Sequence, residues 1–433
     1  MVIILLSKLI WIFASILIII SGIYFTFKLK FVQFKFVKMF KSLSVKNKKE
    51  NTIKPFSSLM MVLAGRIGVG SIAGIAISIY YGGIGSIFWM WISAVLACTL
   101  TFMETIIGMI YQQKDTEYIC KGGPSYYIKY GLNNKLLGSI YAIIILISDI
   151  AGFISIQTNT IVHSVQEIVN INEYFMGIVL SIFIFIIIIG GVKRIANFAS
   201  KMVPFMTLLY LFVCFIILIF NIEKIPSIIT IIIKSAFNTK SIKGGLLGTM
   251  IIGIQRGIFS SEAGIGTGAI ASSLSLTTTK EEKIKQGYLQ MLGVYITTFL
   301  ICTSTALVVL TSNISNLKFN NFNGIELIQI CFTKHLGPIG NYFIFIIIFL
   351  FSFTTILSSY YNGESSLKYF INKPKLSLKI LKILTIFSIF LGSITASNFI
   401  WNFIDIFIGI LAIINIYSVV KLKDKVINEL NNT

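Results

Sequence analysis

Apolar residues fill this chain in unbroken runs and not in alternation. VIILLSKLIWIFASILIIISGIYFTF near the start and IFIFIIIIGG at 182–191 are examples. Windows of about 20 apolar residues recur, each long enough to cross a hydrocarbon layer of roughly 30 Å. Continuous runs exclude a transmembrane barrel, whose strands alternate. Many runs are rich in β-branched isoleucine, yet a segment in lipid must satisfy its backbone internally, so they predict helices. Eleven spanning segments follow, near 2–27, 56–81, 84–111, 136–162, 174–191, 198–220, 245–272, 286–310, 340–367, 377–395 and 398–420. The first is too long for a signal-peptide core, has no clear small-residue cleavage site and runs into dense lysine, so it predicts a retained helix, 1–27. Residues 122–131 and 225–237 are shorter and more polar, and predict interfacial or re-entrant pieces. Between segments the chain offers a basic linker at 28–55, a connector at 221–244 and a tail at 421–433, with no soluble domain expected.

Two segments break their own apolar pattern with glycine. Residues 65–75 read GRIGVGSIAGI, and residues 253–268 read GIQRGIFSSEAGIGTG. Each lies in the first segment of a group of five, 56–220 and 245–420. An odd number of helices per group inserts the second group upside down, and glycine-interrupted helices at matching positions of inverted halves point to a transporter binding site. Neither break contains proline, so glycine, with its tolerance of positive φ and close backbone approach, would open the helix. Unwound backbone in lipid must line a cavity or meet a ligand. Half-helix N-termini suit a carboxylate and half-helix C-termini suit a cation or an ammonium group. An α-amino acid is the simplest ligand to fit both. The plainer alternative is small-residue helix packing, whose spacing Gly70 and Gly74 match. The pattern is no dinucleotide fingerprint, because no strand precedes it.

Composition sharpens this picture. The chain is 56% hydrophobic and 12% charged, with a mean hydropathy of +0.88. Its net charge of +20 does not imply nucleic acid, because the lysines sit between apolar segments. With 28–55 taken as cytoplasmic, 27 Lys and Arg fall on that side and seven on the other, which places the N-terminus outside and the C-terminus in the cytoplasm. Five cysteines without CxxC spacing behave as small buried hydrophobes, and His163 and His335 are far apart, so no metal centre is expected beyond a bound alkali cation.

Arg66, Glu104, Asp149, Arg256, Glu262 and Glu364 lie inside spanning segments, with Asp405 inside or near the surface. Unpaired, each would be costly in lipid, so ion pairs within the bundle are expected, as gates or as static ties. Gln157 and Asn159 stand mid-segment in SIQTNT, either to bind substrate, the favoured reading, or to hold helices together. The stretch FSFTTILSSYYNGE at 351–364 clusters Ser352, Thr354, Thr355, Ser358 and Ser359, a density of hydroxyls able to complete an oxygen shell around Na+. Bonding of Ser and Thr back to the preceding turn explains only some of them.

Taken together, GRIGVGSIAGIA, GGIGSIFWMW, KGGPSYYI, QRGIFSSEAGIGTGAIA and YYNGE resemble the alanine-or-glycine:cation symporters, over about residues 57–370. The resemblance implies an all-α, leucine-transporter-like 5+5 inverted repeat with one extra N-terminal helix. It also implies import of a small neutral amino acid with Na+, or sometimes H+. Carried over by position, Gly68, Val69, Gly70 and Ser71, in a loop running to Gly74, hold the substrate carboxylate. Phe259 and Ser260 flank the amino group with backbone carbonyls, and Gln157, Asn159, Thr355, Ser359 and Tyr360 complete the pocket. Gly65, Gly68, Ser352, Thr354 and Thr355 hold the cation. Arg66, Glu104, Arg256, Glu262 and Glu364 match charges usual in the family. The chain departs from the family at Val69 and Ser71, where threonine and asparagine are usual, and at Ser261, where asparagine is usual. Ser359 stands where a bulky aromatic is common, which would enlarge the site.

The expected function is cation-coupled amino-acid symport by a monomer in the cell membrane of a bacterium, the lysine and isoleucine bias suggesting an AT-rich genome. The alternatives are a symporter of a different or larger amino acid and a passive channel. A channel wants a continuous polar stripe, whereas the polar residues here cluster at mid-depth. No catalytic constellation supports an enzyme.

Overall fold

The computed structural model describes residues 2–43, 53–114, 120–238, 245–312, 324–371 and 375–431. Residues 44–52 of the predicted linker, 239–244 of the connector and 432–433 of the tail lie outside the described residues. Among the described residues the architecture is helical apart from one antiparallel pair of two-residue strands, Gln113–Lys114 and Cys120–Lys121.

In chain order the helices are α1 Val2–Lys28, α2 Phe36–Ser42, α3 Pro55–Arg66, α4 Val69–Gly82 and α5 Ser86–Ile110. Next come α6 Pro124–Gly131, α7 Lys135–Leu146, α8 Ile154–Gln166, α9 Glu173–Ile188 and α10 Gly191–Ile219. They are followed by α11 Ile225–Ala236, α12 Gly245–Ser261, α13 Thr267–Ser272, α14 Lys280–Tyr295 and α15 Thr303–Thr311. The last are α16 Ile325–Leu336, α17 Ile339–Phe370, α18 Lys375–Ile394, α19 Ser397–Lys421 and α20 Lys423–Asn431. Two π-helical turns, Ile147–Phe153 and Ile296–Cys302, join α7 to α8 and α14 to α15 into continuous helices. Among the described residues, nine helices are long and apolar enough to cross a membrane. Two of the eleven predicted segments fall short of that measure: α9, with 16 residues, and the interrupted pair α12–α13.

Both glycine-rich stretches do interrupt their helices, but over fewer residues than the sequence suggests. The first break is confined to Ile67 and Gly68, whose ψ values of 76° and −155° leave the helical region. The anticipated loop from Gly68 to Gly74 is therefore corrected, because Val69 to Gly74 already form the first turns of α4. Glycine permits a helix to open without compelling it, and hydrogen bonding resumes as soon as it can. The second break spans 262–266, with Glu262, Gly264 and Gly266 at φ of 50°, 82° and 94°. Phe259 and Ser260 consequently sit in the last turn of α12, not in unwound chain.

Packing brings the two breaks together. α12 lies along α4 and α13 lies along α3, so the interrupted helices run antiparallel with their breaks side by side. α5 and α14 pack onto this pair. A second group forms around α8, with α9, α17 and α18 against one another. The main crossing between the groups is α17 on α3. α1 packs against α5 and α19, and its Trp11 indole N–H donates to the Asp405 carbonyl at 2.9 Å.

Candidate functional site

The first break presents carbonyls to α17. Thr355 Oγ1 lies 2.8 Å from Ala64 O, 3.4 Å from Ile67 O and 3.0 Å from Phe351 O. One hydroxyl thus gathers three carbonyls, two of them freed by the break. Ser358, a turn further along, donates to Met61 O at 3.0 Å. The cluster is one hydroxyl and a set of carbonyls, with the Glu262 carboxylate close by, since a β-carbon at Gly65 would stand 3.3 Å from its Oε1 and 3.1 Å from Ser358 Oγ. Sequence reasoning named Gly65 and Gly68 here. The contributing carbonyls belong to the residues just before them, Ala64 and Ile67, a detail that backbone atoms leave unmarked in a sequence. Thr354 is not part of the cluster: its hydroxyl donates to Phe351 O at 3.0 Å and faces Met206 Sδ at 3.7 Å. Ser352 Oγ is buried without a hydrogen-bond partner among the described residues.

Above the break, Gln157 Oε1 accepts the Val69 N–H at 3.0 Å, tying α8 to the start of α4. Ser71 Oγ donates to Gly68 O at 2.9 Å and Thr305 Oγ1 donates to Ser71 O at 3.0 Å. Among the described residues no acceptor meets the N–H groups of Gly68 and Gly70. A β-carbon at Gly68 would stand 2.5 Å from Thr355 Oγ1 and 3.0 Å from Gln157 Oε1, so only glycine fits between them. Asn159 is elsewhere: its amide donates to Gly392 O and Thr395 O at 3.1 and 2.7 Å, and accepts from Ser397 Oγ at 2.5 Å. Two residues along a helix are about 200° apart, and Asn159 spends its polar groups holding α8 to the junction of α18 and α19.

Phe259 closes one side of this space. Its ring packs so near Gly70 that a β-carbon there would lie 2.6 Å from Cδ1. Phe153 and Trp401 flank the ring at centroid distances of 5.3 and 4.8 Å. Over Trp401, at 4.8 Å, lies the Arg256 guanidinium, which pairs with Asp405 at 2.5 Å. An aromatic stack capped by one buried ion pair therefore bridges α12 and α19. Beside it, Ser260 Oγ and Cys302 Sγ are 3.0 Å apart. Sequence reasoning named Arg256 and Phe259 but missed Phe153 and Trp401, because aromatic residues in apolar runs carry no mark of function.

The second break is met by protein on most sides. Asn415 donates to Gly264 O at 2.8 Å and to Glu104 Oε2 at 2.7 Å, and accepts from the Tyr127 hydroxyl. The Tyr141 hydroxyl donates to Ile265 O at 2.5 Å, and Thr267 Oγ1 donates to Glu262 Oε2 at 2.5 Å. Arg66 is in electrostatic range of Glu262 and Glu104 and donates to Gln290 O at 3.0 Å. Its guanidinium threads between two glycines, for a β-carbon at Gly268 or Gly293 would stand 2.9 Å from it. Glu364 pairs with Lys368 one turn on, at 3.1 Å. Ser359 faces the Asp149 carboxyl, and Tyr360 is fully buried on the same helix.

The sequence model described as the sodium:alanine symporter family matches residues 1–432 of this chain. The probable sodium/glutamine symporter GlnT of Bacillus subtilis is 36% identical over 98% of the chain and 89% of its own length. The amino-acid carrier protein AlsT of the same organism is 34% identical over 96% of the chain and 88% of its own. The sodium/alanine symporter AgcS of Methanococcus maripaludis is 30% identical over 94% of the chain and 91% of its own.

Proposed function

The chain belongs to the sodium:alanine symporter family, and from that premise we propose that it imports a neutral amino acid together with Na+ by alternating access. One observation carries the proposal: Thr355 of α17 gathers the carbonyls of Ala64 and Ile67 at the break of α3. This oxygen cluster straddles the two packed groups, so a cation held there draws one group against the other. Gln157 spans the same divide to Val69. The Arg256–Asp405 pair over Trp401 and Phe259 is a latch that closes one entrance. Bound Na+ stabilises the closed arrangement, and each charge moved inward gains about 2.3 kcal/mol per 100 mV.

The pocket is assigned to the open N–H groups of Gly68 and Gly70 for a carboxylate, and to the α12 C-terminus at Phe259 and Ser260 for an amine. The opposite dipole ends of two half-helices favour these charges. Alanine or glycine is the first candidate for this pocket. A longer substrate such as glutamine is the second candidate, consistent with the name borne by GlnT. We assign the 56–220 and 245–420 segments to inverted halves, and the protein to the cell membrane of a bacterium as a monomer.

Proteoliposome uptake of a panel of labelled amino acids, with and without an inward Na+ gradient, tests the proposal. Gradient-dependent accumulation of at least one neutral amino acid is expected. Equal uptake without the gradient, or none at all, refutes it.

A further inference from the structure

Seven charged side chains are buried among the described residues: Arg66, Glu104, Asp149, Arg256, Glu262, Glu364 and Asp405. Six of them have an opposite charge at hand. Arg256 holds Asp405, Lys368 holds Glu364, and Arg66 lies in electrostatic range of Glu104 and Glu262. Asp149 is the seventh. It is 2% exposed, and among the described residues no Lys or Arg pairs with it.

Its neighbours are neutral or negative. Asn362 Nδ2 donates to Asp149 Oδ1 at 3.2 Å. The hydroxyls of Ser359 and Ser148 face the carboxyl. Gly363 permits this approach, since a β-carbon there would stand 2.7 Å from Ile150. Glu262 acts on Asp149 from the other packed group, and Tyr141 of α7 shares its surroundings. Glu364 of α17 and Asp405 of α19 are engaged by their own cations. The lysines of α18, Lys375, Lys379 and Lys382, form no ion pair with it.

Two buried atoms here have no hydrogen-bond partner among the described residues: Asp149 Oδ2 and Asn362 Oδ1. Both are acceptors, so a hydrogen-bond donor, a proton on the carboxyl or a metal cation completes them, and of these only the last two also offset the charge of Asp149. A buried carboxylate left uncompensated is among the costliest groups a fold can carry. Asp149 also lies in the π-helical turn Ile147–Phe153, and such turns are frequent at functional sites.

We propose that Asp149, Asn362 and Ser359 form a second monovalent-cation site, separate from the Thr355 cluster, that takes H+ or Na+. A cation bound there neutralises Asp149 and removes its repulsion of Glu262 across the divide between the groups. Occupancy thereby favours their closure, as Na+ at Thr355 does. This inference rests on the symporter reading but not on which amino acid is carried.

The test compares the full-length wild type with Asp149→Asn, Asn362→Leu and Thr355→Ala. Saturation binding of radioactive sodium to the purified proteins is read beside substrate-driven proton uptake in proteoliposomes loaded with a pH dye. If the site takes Na+, the wild type binds two ions per chain, and Asp149→Asn and Thr355→Ala each bind one. If it takes H+, the wild type and Asp149→Asn both bind one sodium, and proton uptake is present in the wild type and lost in the variant. Asn362→Leu, which keeps the acid, weakens the same cation at least tenfold and serves if Asp149→Asn does not fold. Asp149→Asn indistinguishable from the wild type in both measurements overturns the inference while leaving the Thr355 site standing. A wild type that binds no sodium and takes up no protons overturns both.

Discussion

A methyl group at Gly68 would enter the space that Thr355 Oγ1 and Gln157 Oε1 already fill. Gly68→Ala is therefore expected to fold yet lose Na+-driven uptake by about a hundredfold, the cost of roughly 3 kcal/mol of overpacking between two groups that must meet. Retained uptake in a transport assay refutes the role given to this glycine. Thr355→Ala removes the hydroxyl that gathers Ala64 O and Ile67 O. Its sodium concentration for half-maximal uptake is expected to rise at least tenfold, about 1.4 kcal/mol, whereas Thr355→Ser keeps the wild-type value. An unchanged sodium requirement in the alanine variant removes Thr355 from the cation site. Sequence alone reached Thr355 through the density of hydroxyls around it, but it could not separate Thr355 from Thr354, which turns to Met206. It offered Gln157 and Asn159 as a pair, and packing sends them to different neighbours. Side-chain chemistry is written in the sequence; the direction in which a helix aims it depends on register against other helices.

Between α12 and α19, one buried ion pair caps the aromatic stack, the arrangement proposed above as a latch. Breaking a buried pair leaves a charge uncompensated and costs about 3–5 kcal/mol in the state that buries it. Asp405→Asn is thus expected to shift the population toward a form open at that end. Cys302, buried beside Ser260, reports on the opening. In a background with the other four cysteines replaced, a small methanethiosulfonate is expected to modify Cys302 at least tenfold faster in Asp405→Asn than in its parent, and saturating Na+ with substrate to slow the reaction. Equal rates exclude a latch role. At this scale the sequence announced both broken helices through glycine and charge. It misplaced their edges, because a glycine-rich stretch opens only where a neighbouring group supplies better bonds than the helix. At the second break those groups are Asn415 and Tyr141, far off in the chain.

Across the whole molecule, basic segments converge on one end. Tyr295 of α14 donates to Gln33 O at 2.8 Å, beside α2 with its Lys38 and Lys41. Lys283 of α14 pairs with Glu429 of α20 at 3.1 Å, and Lys423 donates to the Tyr24 hydroxyl at 3.0 Å. Near the end of α17, the Tyr369 ring lies under Lys129 of α6 at 5.4 Å. Segments scattered along the sequence thus bring their lysines toward a shared face, as the count of 27 against seven between alternating sides anticipates. Short basic loops resist translocation, so this face is expected in the cytoplasm, with the N-terminus of α1 outside. Single cysteines placed at Lys8 and at Lys423 in a cysteine-free background test the orientation. In intact cells a membrane-impermeant maleimide is expected to label Lys8→Cys and to reach Lys423→Cys only after permeabilisation. The reverse pattern would invert the molecule, put the Arg256–Asp405 latch on the cytoplasmic side and turn the proposed direction of import around.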